Sequence, residues 1–502
     1  LIYLNLLCVY IIYYKIMVKN INKIKNTNKN INGGNVLASG GFGCAFSPAL
    51  KCEGTRKRET NKISKLMIEK YTISEYQEIT KIKDRLKHIP NFDDYFLLNN
   101  INICRPAKIT KADLKHFNKK CSALPKNNIT KKNINKSLDK LMLLNMPDGG
   151  LPVDDYIFNN GSLKKMLYIN TSLINLLNNG ILKMNESNIY HCDIKDSNIL
   201  LKTEDSILKA RLIDWGLSTE YIPFKDDPFP RTWRNRPFQY NVPFSVIIFS
   251  DSFVDKYTKY IKTGGETDEI NLRPFVIDYI HFWIKERGEG HYKLLNEIMY
   301  MLFSKEFDNI TSKEFKDHII ENDFTLFYIT NYIVEILKHF TKFRPDGSLN
   351  LRIYLDTVFI NIVDIWGFIM TYLPMLEFFY DNYDKLTPSQ QSIFELLKSL
   401  IIIYLYSPRI TPIPINELND KLNTLNTLLK NETKIEMINI KSTNISSNIA
   451  KGVKKNNSLK TKKRSRGITG NTFIPKKMRL IFKKHKKNNT RRIKKLFMLS
   501  KK

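Results

Sequence analysis

His191-Cys192-Asp193-Ile194-Lys195-Asp196-Ser197-Asn198-Ile199-Leu200-Leu201, followed by Leu212-Ile213-Asp214-Trp215-Gly216, decides the reading of this 502-residue chain. The first run has the form H-x-D-x-K-x-x-N and the second the form D-aromatic-G, with Asp214 21 residues after Asp193. Two carboxylates, a lysine and an amide at this spacing suit the transfer of a phosphoryl group from Mg-ATP to a hydroxyl. That reaction needs little covalent work from a protein. It needs the γ-phosphate, the metal and the attacking hydroxyl held in line while negative charge is neutralised. Asp193 is the candidate to accept or orient the hydroxyl proton, and Lys195 offers a cation toward the γ-phosphate. Asn198 and Asp214 supply hard oxygen ligands for Mg²⁺, which takes a few protein oxygens beside phosphate and water.

Further runs stand in order around this centre. Upstream, Leu37-Ala38-Ser39-Gly40-Gly41-Phe42-Gly43-Cys44-Ala45-Phe46 is rich in glycine, which lets backbone N–H groups approach phosphates with no Cβ in the way. Lys62-Ile63-Ser64-Lys65-Leu66-Met67 alternates as a strand does, and Ile79, Ile82 and Leu86 recur at helical spacing. Leu141–Met146 is an apolar run that ends in the breaker Pro147-Asp148-Gly149-Gly150. Leu163, Met166, Leu167, Leu173, Leu176, Leu177, Ile181 and Met184 predict a long amphipathic helix just before the catalytic run. Downstream, Asp364 sits inside the apolar stretch Ile360–Tyr372, a costly place for a carboxylate unless it is hydrogen-bonded.

The set resembles the protein-kinase superfamily, and over residues 33–430 it is similar to the serine/threonine kinases of giant nucleocytoplasmic DNA viruses. The resemblance implies an α+β, two-lobed fold. Residues 33–144 would be a small β-rich N-lobe, and 145–430 a larger helical C-lobe with an insert over about 241–360. It implies ATP and Mg²⁺ as cofactors and protein hydroxyls as acceptors, with Lys195 in the position associated with serine/threonine specificity. Leu37, Ser39, Gly40, Gly41, Phe42, Gly43 and Ala45 would form the nucleotide loop. Lys65, with Lys62 as competitor, would hold the α- and β-phosphates. Glu78, with Glu75 as alternative, would be its helix partner. Asn145 and Met146 would meet adenine, and Asp364 would accept hydrogen bonds from the catalytic-loop backbone. Three departures stand out. Cys192 replaces the usual arginine before Asp193, so activity is expected not to depend on phosphorylation at Ser218, Thr219 or Thr232. No Ala-Pro-Glu partner for Arg409 is visible, Arg236-Pro237-Phe238-Gln239 being the nearest run. Arg287-Gly288-Glu289-Gly290-His291-Tyr292-Lys293 in the insert is a polar, glycine-marked turn with no assigned chemistry. A kinase-like scaffold that binds partners without catalysis, and a small-molecule kinase, are the other classes this set allows.

Charge is distributed unevenly. The formal net charge is +31, and residues 451–502 hold 21 Lys/Arg with no Asp or Glu, leaving +10 for the rest. Such a stretch repels itself and is expected to stay disordered, as part of a basic tail over 431–502. It suits non-specific contact with nucleic acid or another anionic surface. Residues 1–32 read as a leader, partly disordered or untranslated, with Met17 as the start. Leu1–Tyr14 is apolar but too short to span a bilayer, so no integral membrane span is expected. The six cysteines show no C-x-x-C pair and no disulfide framework, which points to a reducing, intracellular setting.

Overall fold

A computed structural model of the chain describes residues 35–452, apart from 40, 41, 226–229, 231, 304, 307 and 308. The leader 1–32, Gly40, Gly41 and the tail beyond 452 therefore lie outside the described residues. The chain divides into two units, residues 1–380 with 384–433, and 381–383 with 434–502. The elements that position the site belong to the first.

Alternating apolar residues build an antiparallel sheet from β1 (Asn35–Ser39), β2 (Gly43–Ser47), β3 (Lys62–Ile68), β4 (Asn102–Cys104) and β5 (Leu141–Pro147), in the order β1-β2-β3-β5-β4. Because side chains alternate along a strand, Cys44, Phe46 and Leu66 enter the core of this sheet while Ala45 and Lys65 turn to its other face. Ala45, Lys65 and Leu144 are in register across β2, β3 and β5, which puts the lysine at the centre of that face. The helix Glu69–Leu86 follows β3 directly and buries Thr72, Ile79, Ile82 and Leu86.

The expectation of no disulfide framework is corrected here. Cys44 is bonded to Cys121, and Cys52 to Cys104. The partners are 77 and 52 residues apart in the chain, so local spacing carries no sign of them, yet folding brings their Cα atoms to 5.5 and 5.8 Å.

After β5 the chain turns at Gly149 and Gly150. Gly150 has φ +96°, and a Cβ there would stand 2.2 Å from the Leu201 carbonyl oxygen, so a side chain at this turn would push the strands apart. Two short strand systems then frame the run His191–Asn198: β6 (Leu151–Pro152) with β8 (Ile199–Glu204) and β9 (Ile207–Leu212), and β7 (Ile189–Tyr190) with β10 (Thr219–Glu220). The rest is mainly helical. Leu163–Leu176 is capped by Ser162, whose side chain accepts from the Lys165 N–H, and leads through a π-turn to Leu182–Glu186. The insert forms the helices Asp251–Lys262, Glu269–Arg287, Gly290–Phe303 and Thr325–Phe340.

Ile360–Met370 is the central buried helix, with every residue but Asn361 inside. The surrounding run Arg352–Asp381 is long and apolar enough to cross a membrane, but 83% of its most apolar window is buried within the fold. Ile415–Gly452 is the last described helix; it runs past residue 431, where a disordered tail was expected, and packs Leu418, Leu422, Leu425 and Leu429 inward at spacings of four, three and four residues.

Candidate active site

The loop from His191 to Asn198 is held from below by Asp364. This fully buried carboxylate accepts the His191 N–H at 2.9 Å and the Cys192 N–H at 2.7 Å. Burial pushes its pKa up to about 6, against the pull of those two hydrogen bonds. Gly367, one turn further along the same helix, lets the loop lie directly on the helix backbone. A Cβ there would stand 2.5 Å from the Ile194 carbonyl oxygen. Trp366 on the same helix donates its indole N–H to the carbonyl of Tyr240, in the segment after Asp214, at 2.9 Å.

The polar groups of the loop converge on Asp193. Lys195 Nζ lies 2.7 Å from Asp193 Oδ2. Asn198 Nδ2 donates to the same oxygen at 3.0 Å and to the Asp193 carbonyl at 2.8 Å. Asn241, from the segment after Asp214, donates to Oδ1 at 2.9 Å. Burial alone would raise the Asp193 pKa, but the charges of Lys195 and Arg236 and the hydrogen bonds from Lys195 and Asn241 hold it below the usual carboxylate range. The loop is tied to the Asp214 run as well. Ile213 N–H bonds the Asn198 carbonyl at 3.0 Å, and His191 Nε2 bonds the Ile213 carbonyl at 3.0 Å. Asp214 itself takes φ +67°, and Trp215 packs against His191 and Phe96.

With its amide nitrogen spent on Asp193, Asn198 keeps its oxygen for a cation. That oxygen and the Asp214 carboxylate fit Mg²⁺, which needs few protein ligands. No group of three or more His, Cys, Asp or Glu able to hold a metal occurs among the described residues, a pattern that an asparagine–aspartate pair does not form.

On β3, Lys65 meets Glu75 through both carboxylate oxygens at 2.7 Å. Burial lowers the Lys65 pKa, but Glu75 and Asp214 outweigh it and leave the ammonium more firmly protonated than usual. The influence of Asp214 places the strand lysine within electrostatic reach of the D-aromatic-G carboxylate. Lys62, the competitor, pairs instead with Glu59 and Asn102.

The assignment of Glu78 is corrected. Its side chain is exposed, and partial burial together with the neighbouring Glu75 charge raises its pKa. Glu75 lies one turn nearer the helix start, level with Lys65. Glu75→Gln is therefore predicted to lower kcat/KM for ATP in the proposed reaction about 10- to 100-fold, the loss of a charge-assisted hydrogen bond of about 1.5–3 kcal/mol. Glu78→Gln should stay within about twofold of wild type, because a solvated charge contributes little. Steady-state kinetics of the two variants decide between them, and equal losses would return the role to both.

Two more expectations change. Asn145 does not sit where adenine could reach it. It lies inside β5, in register with Ser64 on β3 and Asn102 on β4. Its buried side chain accepts from Ser64 Oγ at 2.5 Å and approaches the sulfurs of Cys52 and Cys104. The pairing with β4 ends there, so Met146, paired only with Ile63, is the first β5 residue with its outer backbone edge beyond β4. Ser39 faces inward too, its Oγ accepting from the Ser122 and Ala123 N–H groups at 3.0 and 2.9 Å. Leu37 and Gly43 are in β1 and β2, and Ala45 shares the sheet face of Lys65. Phe42 is exposed and its ring rests 4.6 Å from that of Tyr71 on the Glu69–Leu86 helix.

Several contributors escaped sequence reasoning. Asn241 belongs to no motif that marks it in the sequence. Arg236 and Gln239 form no tie to Arg409. The Arg236 guanidinium bonds Gln239 Oε1 and, at 2.7 Å, the Cys192 carbonyl, while Arg409 bonds the carbonyls of Ile403 and Tyr404. His291, second residue of the helix Gly290–Phe303, is buried with neither ring nitrogen hydrogen-bonded. Burial, with the cations Lys195 and Arg236, pushes its pKa down to about 4, so the imidazole near the catalytic loop is neutral at neutral pH.

No family model matches the chain, and no curated protein matches it. Among solved structures, the crystal structure of a Plasmodium kinase domain aligns with a TM-score of 0.25 at 17% sequence identity, over 43% of this chain and 56% of that one. The chain thus spans little more than half the length of that neighbour. The described residues combine small sheets with a mainly helical bulk.

Proposed function

We propose that this chain is a protein kinase that transfers the γ-phosphate of ATP to serine or threonine hydroxyls, of the kind its motifs resemble in giant DNA viruses. The observation that supports this most strongly is the set of groups converging on the Asp193 carboxylate: Lys195 at 2.7 Å, Asn241 at 2.9 Å and Asn198 at 3.0 Å.

In the proposed reaction Asp193 is kept ionised by the cations beside it, so it is ready to accept a hydrogen bond from the acceptor hydroxyl and orient its lone pair. Lys195 donates to Asp193 Oδ2. It turns to the γ-phosphate as charge builds there, which frees that oxygen for the hydroxyl. Asn198 and Asp214 would hold Mg²⁺, which supplies neutralisation of the phosphate oxygens. Lys65, fixed by Glu75, binds the α- and β-phosphates, and the backbone edge of Met146 meets the base. Positioning and fixed charge account for the catalysis, in keeping with the loose transition state of phosphoryl transfer.

The test is transfer of label from γ-labelled ATP to basic, acidic and neutral protein substrates. Mg-dependent labelling of serine or threonine in wild type, lost in Asp214→Ala, is the expected result. ATP binding without any transfer would replace the enzyme by a kinase-like scaffold.

A further inference from the structure

The arginine that precedes the catalytic aspartate in the resembled family is Cys192 here, and another guanidinium occupies its surroundings. Arg236 reaches the catalytic loop from the segment that follows Asp214. Its Nη1 donates to the Cys192 carbonyl at 2.7 Å, and its Nη2 stands 3.9 Å from Asp193 Oδ1. The side chain is buried. A buried guanidinium must have its donors satisfied, and Gln239 meets that need by accepting from Nε and Nη2. The backbone of Arg236 is fixed in turn by the insert, since Trp283 of the helix Glu269–Arg287 donates its indole N–H to the Arg236 carbonyl at 3.1 Å. Trp233, three residues earlier, donates to the Cys192 sulfur at 2.9 Å.

The same segment is pinned elsewhere without added charge. Tyr221 Oη and the Phe224 N–H bond the buried Asp356 at 2.6 and 2.8 Å. Tyr240 Oη bonds Asp196 at 2.7 Å. Thr232, half-buried as a residue, has its Oγ1 buried and unbonded.

From this geometry we propose that Arg236 is a positioning residue for Asp193, held by Trp283 of the insert, and that it orders the catalytic loop without phosphorylation of the chain. The inference rests on the phosphotransferase reading. It gives the long insert a mechanical part in that reaction: the insert tryptophan fixes the arginine, and the arginine fixes the loop that carries the catalytic carboxylate.

The experiment compares full-length wild type with Arg236→Met, Arg236→Lys, Trp283→Phe and the double variant Ser218→Ala/Thr219→Ala. Two readouts are used: kinetics at saturating acceptor, and hydrogen exchange of the 191–198 amides. Arg236→Met is expected to lower kcat about 10- to 100-fold, the scale of a small misplacement of reacting groups. KM for ATP should hold within about twofold, because no nucleotide contact is lost. Arg236→Lys should recover part of kcat, since it keeps the charge and loses the fork. Trp283→Phe keeps the ring and loses the N–H, so it should lower kcat in the same direction by less. All three should speed exchange at 191–198, and the Ser218/Thr219 double variant should match wild type.

The proposal is overturned if Arg236→Met or, should that variant not fold, Arg236→Lys and Trp283→Phe keep wild-type kcat and exchange. It is overturned equally if kcat and KM for ATP change together, or if the double variant loses activity. A wild type that transfers no phosphate removes the phosphotransferase reading. Unchanged exchange at 191–198 removes the positional role by itself, so the two failures are told apart.

Discussion

Asp193→Asn is expected to reduce phosphoryl transfer about 10²- to 10⁴-fold, the range that general-base and orienting groups contribute, while ATP still binds. An amide in place of the carboxylate loses the negative acceptor that the hydroxyl needs. Its NH₂ would also face Lys195 or Asn241, both of which now donate to the carboxylate. The consequence extends beyond catalysis. Lys195 and Arg236 both approach Asp193, and without its charge two cations face each other in a site largely closed to water. The variant should therefore be less stable than wild type, with Lys195 more mobile. Single-turnover kinetics beside calorimetric ATP binding check the prediction. A variant that keeps more than a tenth of wild-type kcat, with ATP affinity intact, would remove Asp193 from the role.

Asp364→Ala carries the largest expected effect on stability. The change leaves the His191 and Cys192 N–H groups buried with no acceptor, at about 1–3 kcal/mol each, so a loss of about 2–6 kcal/mol is predicted. Because those amides fix the loop that bears Asp193, activity should fall even at temperatures where the variant remains folded. The pH dependence has a definite sign. The folded pKa of Asp364 is raised to about 6 by burial, above its ordinary value. Its titration thus favours the native state most below the ordinary carboxylate pKa, and that contribution is lost as pH rises through about 6. The margin of wild type over Asp364→Ala should accordingly be larger near pH 4 than near pH 7, by about 1–3 kcal/mol for a shift of this size. Denaturant unfolding of both proteins across that range measures it. A margin that grows toward neutral pH would contradict the burial argument.

The convergence of Lys195 and Asn198 on Asp193 was legible because those residues sit close together in the chain. Asp193, Lys195 and Asn198 span six positions, so a loop cannot carry their polar ends far apart. Asp364 was legible for a different reason. A lone carboxylate in an apolar helix has to find hydrogen-bond donors, and the nearby loop supplies two N–H groups. Lys65 followed from strand alternation, which puts it on the face opposite Leu66.

Residues whose role depends on how elements dock were not legible. Glu75 and Glu78 are three positions apart on one helix, so they share nearly the same face and differ by about 4.5 Å along the axis. The seating of the helix against β3 alone selects Glu75. Asn145 looked like the end of a strand at a lobe boundary, yet the pairing of β4 with β5 encloses it. The disulfides, the reach of Arg236 to the catalytic loop and the place of His291 beside it all join residues dozens of positions apart, at distances that no local pattern encodes. Sequence by itself determined which groups could carry phosphoryl-transfer chemistry, since that depends on residue type and short spacing. Tertiary structure alone decided which of them meet, because burial and charge act through space, and only the packed chain sets those distances.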